Sequence, residues 1–361
     1  MSKARQLADN GAATPNRNMI INGAMNVAQR STSETGVGIT SGYFTVDRVK
    51  YFHGSGTDTA GRLTMTQTAD GPSGFANCLK LACTTADTSI ASDEQVILQV
   101  NLIEGQNLQR IKKGTSDAEE ITVSFYVKGN ASATYCCEVF DLDNSRQASK
   151  TFAVTTSWNR IELTFPADTT GAYDDDNAAS FVLNIWIHAG SNYTSGTLSQ
   201  TWTSNTAANR AVGISSFFDS TDRTFFLTGV QMEVGSSATP FEHKTFAQDL
   251  YDCQRYYFKF LEGNNKEIGV AWYYSTSHAS FMFRYPTTMR ATPTGIDETG
   301  TGYYTLYANG GSDAFNSVTF ENGSTESYSA LNSSEVSGTA GQAGIVRGTN
   351  ASAKIEFDAE L

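Results

Sequence analysis

The side chains able to do chemistry in this chain are few and scattered. The four histidines are His53, His188, His243 and His278. None sits in a metal-ligand spacing such as H-E-x-x-H, and no G-x-S-x-G turn offers an activated serine. His188 continues the strand face of Val182, Asn184 and Trp186, which reads as a structural histidine. Glycoside hydrolysis needs two carboxylates facing each other across a groove. The Asp and Glu residues here fall mostly in loop contexts, so no catalytic residue is assigned.

Asp174, Asp175 and Asp176, followed by Asn177, form an acidic loop. Hard oxygen ligands of this kind suit calcium, although the run lacks the spacing of an EF-hand, and charge runs are commonly solvated. A structural calcium there is the one cofactor to consider. Aromatic rings are the other candidates, because the apolar face of a pyranose matches an aromatic face. Trp202 lies in a long polar loop, SQTWTSNTAANR, where it could stack on a sugar or plug a subunit interface. Tyr303, Tyr304 and Tyr307 lie in the glycine-flanked GTGYYTLYANGG, which suits adaptable recognition or ordinary packing. If that segment is extended, Tyr303 and Tyr304 point oppositely, one packed and one exposed. Phe315 and Trp272 are further aromatics of the same region.

The elements that must position these groups are strands. Apolar residues recur at period two in Val96, Leu98, Val100 and Leu102, and in Ile121, Val123, Phe125 and Val127. The same holds for Ile161, Leu163 and Phe165, and for Phe181, Leu183, Ile185 and Ile187. Further strands are expected over 42–52, 62–68, 77–84, 133–141 and 224–234, with no helix–strand alternation. One apolar and one polar face per strand predicts an all-β fold, a jelly-roll β-sandwich over 18–243. Thr245 and Gln248 then fit a capping box, and Phe246, Leu250, Cys253 and Tyr257 form a helical stripe. The spacing predicts a short linking helix within 244–260. A hairpin over 266–275 and 278–285, and strands near 303–307, 315–320, 326–331 and 352–357, predict a second, smaller β-sandwich-like tip domain over 261–361.

The chain has 361 residues, 39% hydrophobic and 17% charged, with a net charge of −12. That acidity excludes nucleic acid and anionic membrane surfaces as expected partners. No apolar run approaches a membrane span, and the opening MSKARQLADNGAATPN has no apolar core of a secretory signal. Five cysteines without a C-x-x-C pair read as buried thiols of a protein folded in a reducing cytosol.

RNMIINGAMNVAQRSTS followed by YFTVDRV resembles the opening of a sandwich module in bacteriophage tail-fibre proteins. FFLTGVQMEVGSSATPFEHKTFAQDLYDCQRYY resembles its close, while FRYPTTMRATPTG and IEFDAEL look like parts of the domain that follows in those fibres. Val49 stands where a Trp is common, and His243 and Lys244 replace the usual Arg. The resemblance covers nearly the whole chain. It implies a virion component assembled in the host cytoplasm: a homotrimer docked on tail proteins through residues 1–17. The sandwich would resemble a carbohydrate-binding module, and the tip would meet a host glycan or protein receptor. On that reading Trp202, Tyr303, Tyr304, Tyr307 and Phe315 are the candidate receptor-binding residues, with three-fold avidity strengthening weak single contacts. The rival readings are a purely structural nozzle, adaptor or capsid decoration, and a surface-polysaccharide depolymerase.

Overall fold

The computed structural model describes residues 16–54 and 56–361. They divide into two compact units, one running to Asp249 and the other from Leu250 to Leu361. The expected attachment segment, 1–17, lies outside the described residues except for Asn16 and Arg17.

The first unit contains β1 (Ser33–Val37), β2 (Gly42–Tyr43), β3 (Val49–His53), β4 (Arg62–Thr68), β5 (Cys78–Thr85), β6 (Gln95–Glu104), β7 (Ile121–Gly129), β8 (Ala133–Asp141), β9 (Arg146–Val154), β10 (Asn159–Phe165) and β11 (Ala179–Ala189). A single helical turn, α1 (Ser191–Thr194), precedes β12 (Thr203–Ser204) and β13 (Thr224–Val234). These strands pair antiparallel into two sheets, ordered β1-β4-β5-β13-β7-β10 and β12-β9-β8-β11-β6-β3-β2. The last strand, β13, sits between β5 and β7, so the chain crosses between distant strands as a jelly-roll sandwich does. The alternating residues of β6, β7 and β11 meet in one core, where Phe125 and Phe152 pack edge to face at 5.0 Å. Deleting such a buried ring costs about 3–5 kcal/mol.

The larger sheet departs from the expected polar outer face. β11 is buried on both sides, because segment 190–216 lies over it. Trp186, Ile97, Cys136 and Ala211 form a second apolar cluster there. Beside it, the fully buried Glu138 accepts hydrogen bonds from Asn184 Nδ2 at 2.8 Å, Trp186 Nε1 at 2.9 Å and Arg210 Nε at 2.8 Å. A buried carboxylate is tolerable only when its oxygens are satisfied in this way.

The motif residues that open and close this unit bind each other. Asn16 and Asn18 donate their backbone N–H groups to the two oxygens of Glu242, each at 2.8 Å. Arg17 reaches Thr239 Oγ1 at 2.8 Å and the Pro240 carbonyl at 2.6 Å. The Asn18 side chain accepts from Met232 N at 3.1 Å, and Gln231 accepts from Glu242 N at 2.8 Å. The residues that carry the family resemblance are thus a clasp between the first and last segments of the sandwich.

The division between the units falls within α2 (Phe246–Gln254). Its capping box forms as expected: Gln248 N donates to Thr245 Oγ1 at 3.3 Å, and Thr245 N to Gln248 Oε1 at 3.2 Å. The predicted stripe is corrected. Phe246 is 58% exposed, and the buried helix positions are Asp249 and Cys253. Tyr257 is not helical, because it pairs with Asp358 in a β-ladder and donates its hydroxyl to Glu356. Ladder pairing outweighs a helical spacing that only one more turn would have continued.

The second unit holds β14 (Tyr257–Glu262), β15 (Lys266–Ser275), β16 (His278–Arg284), β17 (Thr294–Asp297), β18 (Tyr304–Ala308), β19 (Gly311–Phe315), β20 (Thr319–Glu321), β21 (Ser327–Asn332), β22 (Ala343–Gly348) and β23 (Lys354–Asp358). A three-stranded sheet, β14-β23-β17, faces a seven-stranded one, β19-β18-β22-β15-β16-β21-β20. Their shared core is aromatic: Phe283 meets Phe260 at 4.9 Å and Phe357 at 5.1 Å. The described residues are therefore all-β, in two sandwich-like units.

Candidate functional site

The expected site residues do not form one cluster. Trp202 is packed against the core of the first unit, and its indole N–H donates to the Pro166 carbonyl at 2.9 Å. The Lys113 ammonium lies 5.4 Å from its ring centroid. The ring expected either to stack on a sugar or to plug a subunit interface is half-buried by packing within its own unit. Tyr304 and Phe315 are buried and stack on each other at 5.7 Å inside the second core. Neither offers a ring face to a ligand, which corrects their expected role. Tyr303 is half-buried against the same core. Tyr307 alone of this set is exposed on the outer face of the sheet, with the Arg347 guanidinium 5.3 Å from its ring.

The acidic loop does not converge on a point. Asp174 Oδ1 accepts from Ser180 Oγ at 3.1 Å, Asp176 Oδ1 accepts from Ala178 N at 2.7 Å, and Asp175 is exposed. A cation cage does exist nearby, but an ammonium fills it. Lys113 Nζ lies 2.5 Å from Asp141 Oδ2, 3.2 Å from Asp168 Oδ2, and 2.8 and 2.7 Å from the carbonyls of Thr170 and Gly171. Among the described residues, three metal-ligand side chains come together only at Asp87, Glu94 and His188. All three are buried and already bonded. His188 joins Glu94 and Ser216, each at 2.8 Å, and Asp87 Oδ2 accepts from Thr59 Oγ1 at 2.7 Å and Ala60 N at 2.8 Å. Burial raises the Asp87 pKa, but these donors and the Ser89 N–H outweigh it and hold the pKa below its ordinary value. His188 is thus a buried histidine with both ring nitrogens in hydrogen-bond contact.

The open surface lies on the second unit. Its seven-stranded sheet carries Val270, Trp272, Tyr274, Met282, Tyr307 and Ile345 exposed. The ladder registers Tyr307↔Ile345 and Ile345↔Val270 align three of them in one row across β18, β22 and β15. The outward facing of Val270, Trp272 and Tyr274 follows from one residue of β15. Gly269 has φ +146, and Ile268 and Gly269 together face the single residue Val346, since pairing shifts between Glu267 and Gly269. This β-bulge reverses the alternation of β15. Ile268 points inward before it, whereas Val270, Trp272 and Tyr274 point outward after it.

Trp272 (41% exposed) and Tyr274 (73%) border a groove of about 210 Å³ with His278, Ser280, Glu321 and Asn322. Tyr274 and His278 rings meet at 5.3 Å, and His278 Nε2 lies 3.1 Å from Ser280 Oγ. Two rings beside hydroxyl, amide and carboxylate groups can stack on and hydrogen-bond a polyol. Glu321 is the one carboxylate lining this groove. No lysine or arginine lines it, so it has no charge partner for an anionic ligand.

No protein-family profile matches the chain, and no curated protein matches it. Solved structures do. One described as "CBM4 structure and function" has a TM-score of 0.30 and 12% identity, and the match covers 60% of this chain and 99% of that one. The CBM22-1 xylan-binding domain of Paenibacillus barcinonensis Xyn10C has a TM-score of 0.27 at 13% identity, covering 57% of this chain and 99% of that domain. The family 11 carbohydrate-binding module of Clostridium thermocellum cellulase Lic26A-Cel5E scores 0.26 at 11%, covering 57% and 97%. At these scores the likeness carries no argument about what this chain binds.

Proposed function

We propose that this chain is a bacteriophage tail-fibre protein that attaches the particle to a host surface glycan, and that the Trp272–Tyr274 groove is its contact. The observation that carries the reading is the placement of two exposed rings, Trp272 and Tyr274, beside Ser280, Asn322 and Glu321 in one groove. The opening and closing motifs supply the virion context, and residues 1–17 are the proposed attachment to tail proteins. Binding of this kind is shallow and weak at each site, so several copies per particle provide avidity. The groove has no second carboxylate for hydrolysis, which favours recognition over depolymerisation. The test is competition: purified protein should block adsorption of a phage carrying it without releasing sugar from host cells. Release of reducing sugar would move the chain to the depolymerase class, and a protein that neither binds cells nor blocks adsorption would defeat the attachment reading.

A second, structural reading is favoured by the aligned row Tyr307, Ile345 and Val270. An apolar row on an exposed sheet also suits contact between copies of the chain, as the homotrimer requires.

A further inference from the structure

A second cavity opens on the opposite face of β15. Tyr273, between Trp272 and Tyr274, points inward and is nearly buried. Its hydroxyl donates to Asp313 Oδ2 at 3.0 Å, and the Ser337 N–H donates to the same oxygen at 2.6 Å. Both bonds fall on one oxygen, so the Asp313 carboxylate is locked in orientation with Oδ1 left to accept. Gly338 lets the loop after β21 close over this support, since a Cβ there would lie 2.4 Å from the Tyr273 ring.

Around Asp313 the cavity measures about 270 Å³. Leu306 and Ala308 form its apolar part, and Asn309, Ser312, Thr339 and Gln342 line the remainder. Among the described residues, these four polar side chains have no hydrogen-bond partner in the protein. No lysine or arginine lines the cavity. Ser312 pairs with Tyr307 and so turns its side chain to the outer face, leaving a fixed carboxylate acceptor, the amides of Asn309 and Gln342 and the Thr339 hydroxyl beside the apolar patch, groups that complement a ring with adjacent hydroxyls. The lone carboxylate, with no cation beside it, disfavours an acidic ligand.

We propose that the Asp313 cavity is a second binding site, taking one neutral or amino sugar through adjacent hydroxyls. It stands on its own geometry and takes from the attachment reading only the choice of probes. One strand then serves two sites, Trp272 and Tyr274 on the outer face and Tyr273 behind Asp313 on the inner.

The experiment is saturation-transfer NMR on the full chain with D-galactose, L-rhamnose, N-acetylglucosamine and N-acetylneuraminic acid. Asp313→Asn keeps an oxygen for Tyr273 and Ser337 while turning an NH₂ group toward the cavity. Gln342→Ala removes a side chain without touching the backbone bonds of Gln342. Thermal melts establish that both variants fold. Transfer to at least one neutral or amino sugar, weakened about tenfold or more in both variants and retained in Trp272→Ala, is the expected result. Three outcomes overturn it: no transfer from the wild type to any neutral or amino sugar, equal binding by the wild type and both variants, or preference for N-acetylneuraminic acid. Failure of the groove reading shows separately, as cell binding that survives Trp272→Ala.

Discussion

Gly269 determines the face on which Trp272 stands. The bulge it forms, with φ +146, inverts the alternation three residues before the tryptophan, so a ring otherwise due in the core lies on open sheet. Gly269→Val places a Cβ in a backbone region that side chains rarely adopt. The expected cost is about 1–3 kcal/mol, read as a lower melting temperature together with weakened cell binding. An unchanged melt with unchanged binding would show that β15 does not need the glycine.

Trp272→Ala tests the groove without that strain. The ring is 41% exposed, so its loss should leave the melting temperature close to wild type. Binding to host cells, measured by flow cytometry with labelled protein, should weaken about tenfold or more, as for loss of a binding hot spot. Wild-type binding in a folded variant would remove the groove from the attachment mechanism.

Lys113 and Asp141 have side chains 1% and 0% exposed. Removing the ammonium in Lys113→Met leaves Asp141 and Asp168 facing each other without it. Breaking a buried pair from one side typically costs about 3–5 kcal/mol. Denaturant unfolding should show that loss, and adding Asp141→Asn should recover part of it through coupling.

The same cage sets an acid limit. Burial raises the Asp168 pKa, but hydrogen bonds from Arg146 and the Thr170 N–H, with the Lys113 charge, outweigh it and hold it below its ordinary value. A depressed carboxylate contributes fully above its unfolded pKa of about 3.9, and the contribution is lost as pH falls through the lower folded value. Melting temperature should therefore fall with pH below about pH 4, and Asp168→Asn should be less stable at neutral pH with a shallower acid slope. Equal slopes would assign the acid transition to other groups.

Light scattering tests the association expected of the apolar row. One chain is 39.0 kDa. A trimer should give about three times that mass, and Val270→Asp should shift the population toward the single chain. A wild-type protein at one-chain mass would end the trimer proposal.

Much of the fold could be read from the sequence because the strands alternate. β4, β8, β10 and β13 occupy the ranges expected of them. β9 was hidden because its buried residues include Gln147 and Ser149, polar groups covered by segment 190–216, which do not look like a core strand. β14 was hidden because Tyr257 also fits a helical stripe. The site was less legible. Trp202 drew notice by standing in polar sequence, yet it fills a gap in the core. Trp272 could be named as a candidate aromatic, but the sequence does not assign a face to it, and only the bulge at Gly269 puts Val270, Trp272 and Tyr274 outward while Ile268 stays inward. The available signal was a glycine inside a strand whose two faces are both apolar.

The clasp between Asn16–Asn18 and Thr239–Glu242 also has a mechanical consequence. The chain enters and leaves the sandwich at adjoining points. A pull applied between Asn18 and Glu242 loads this short set of hydrogen bonds first, with Gln231 and Met232 of β13 sharing the load. Parting of these bonds thus comes before loss of the apolar core between the two sheets.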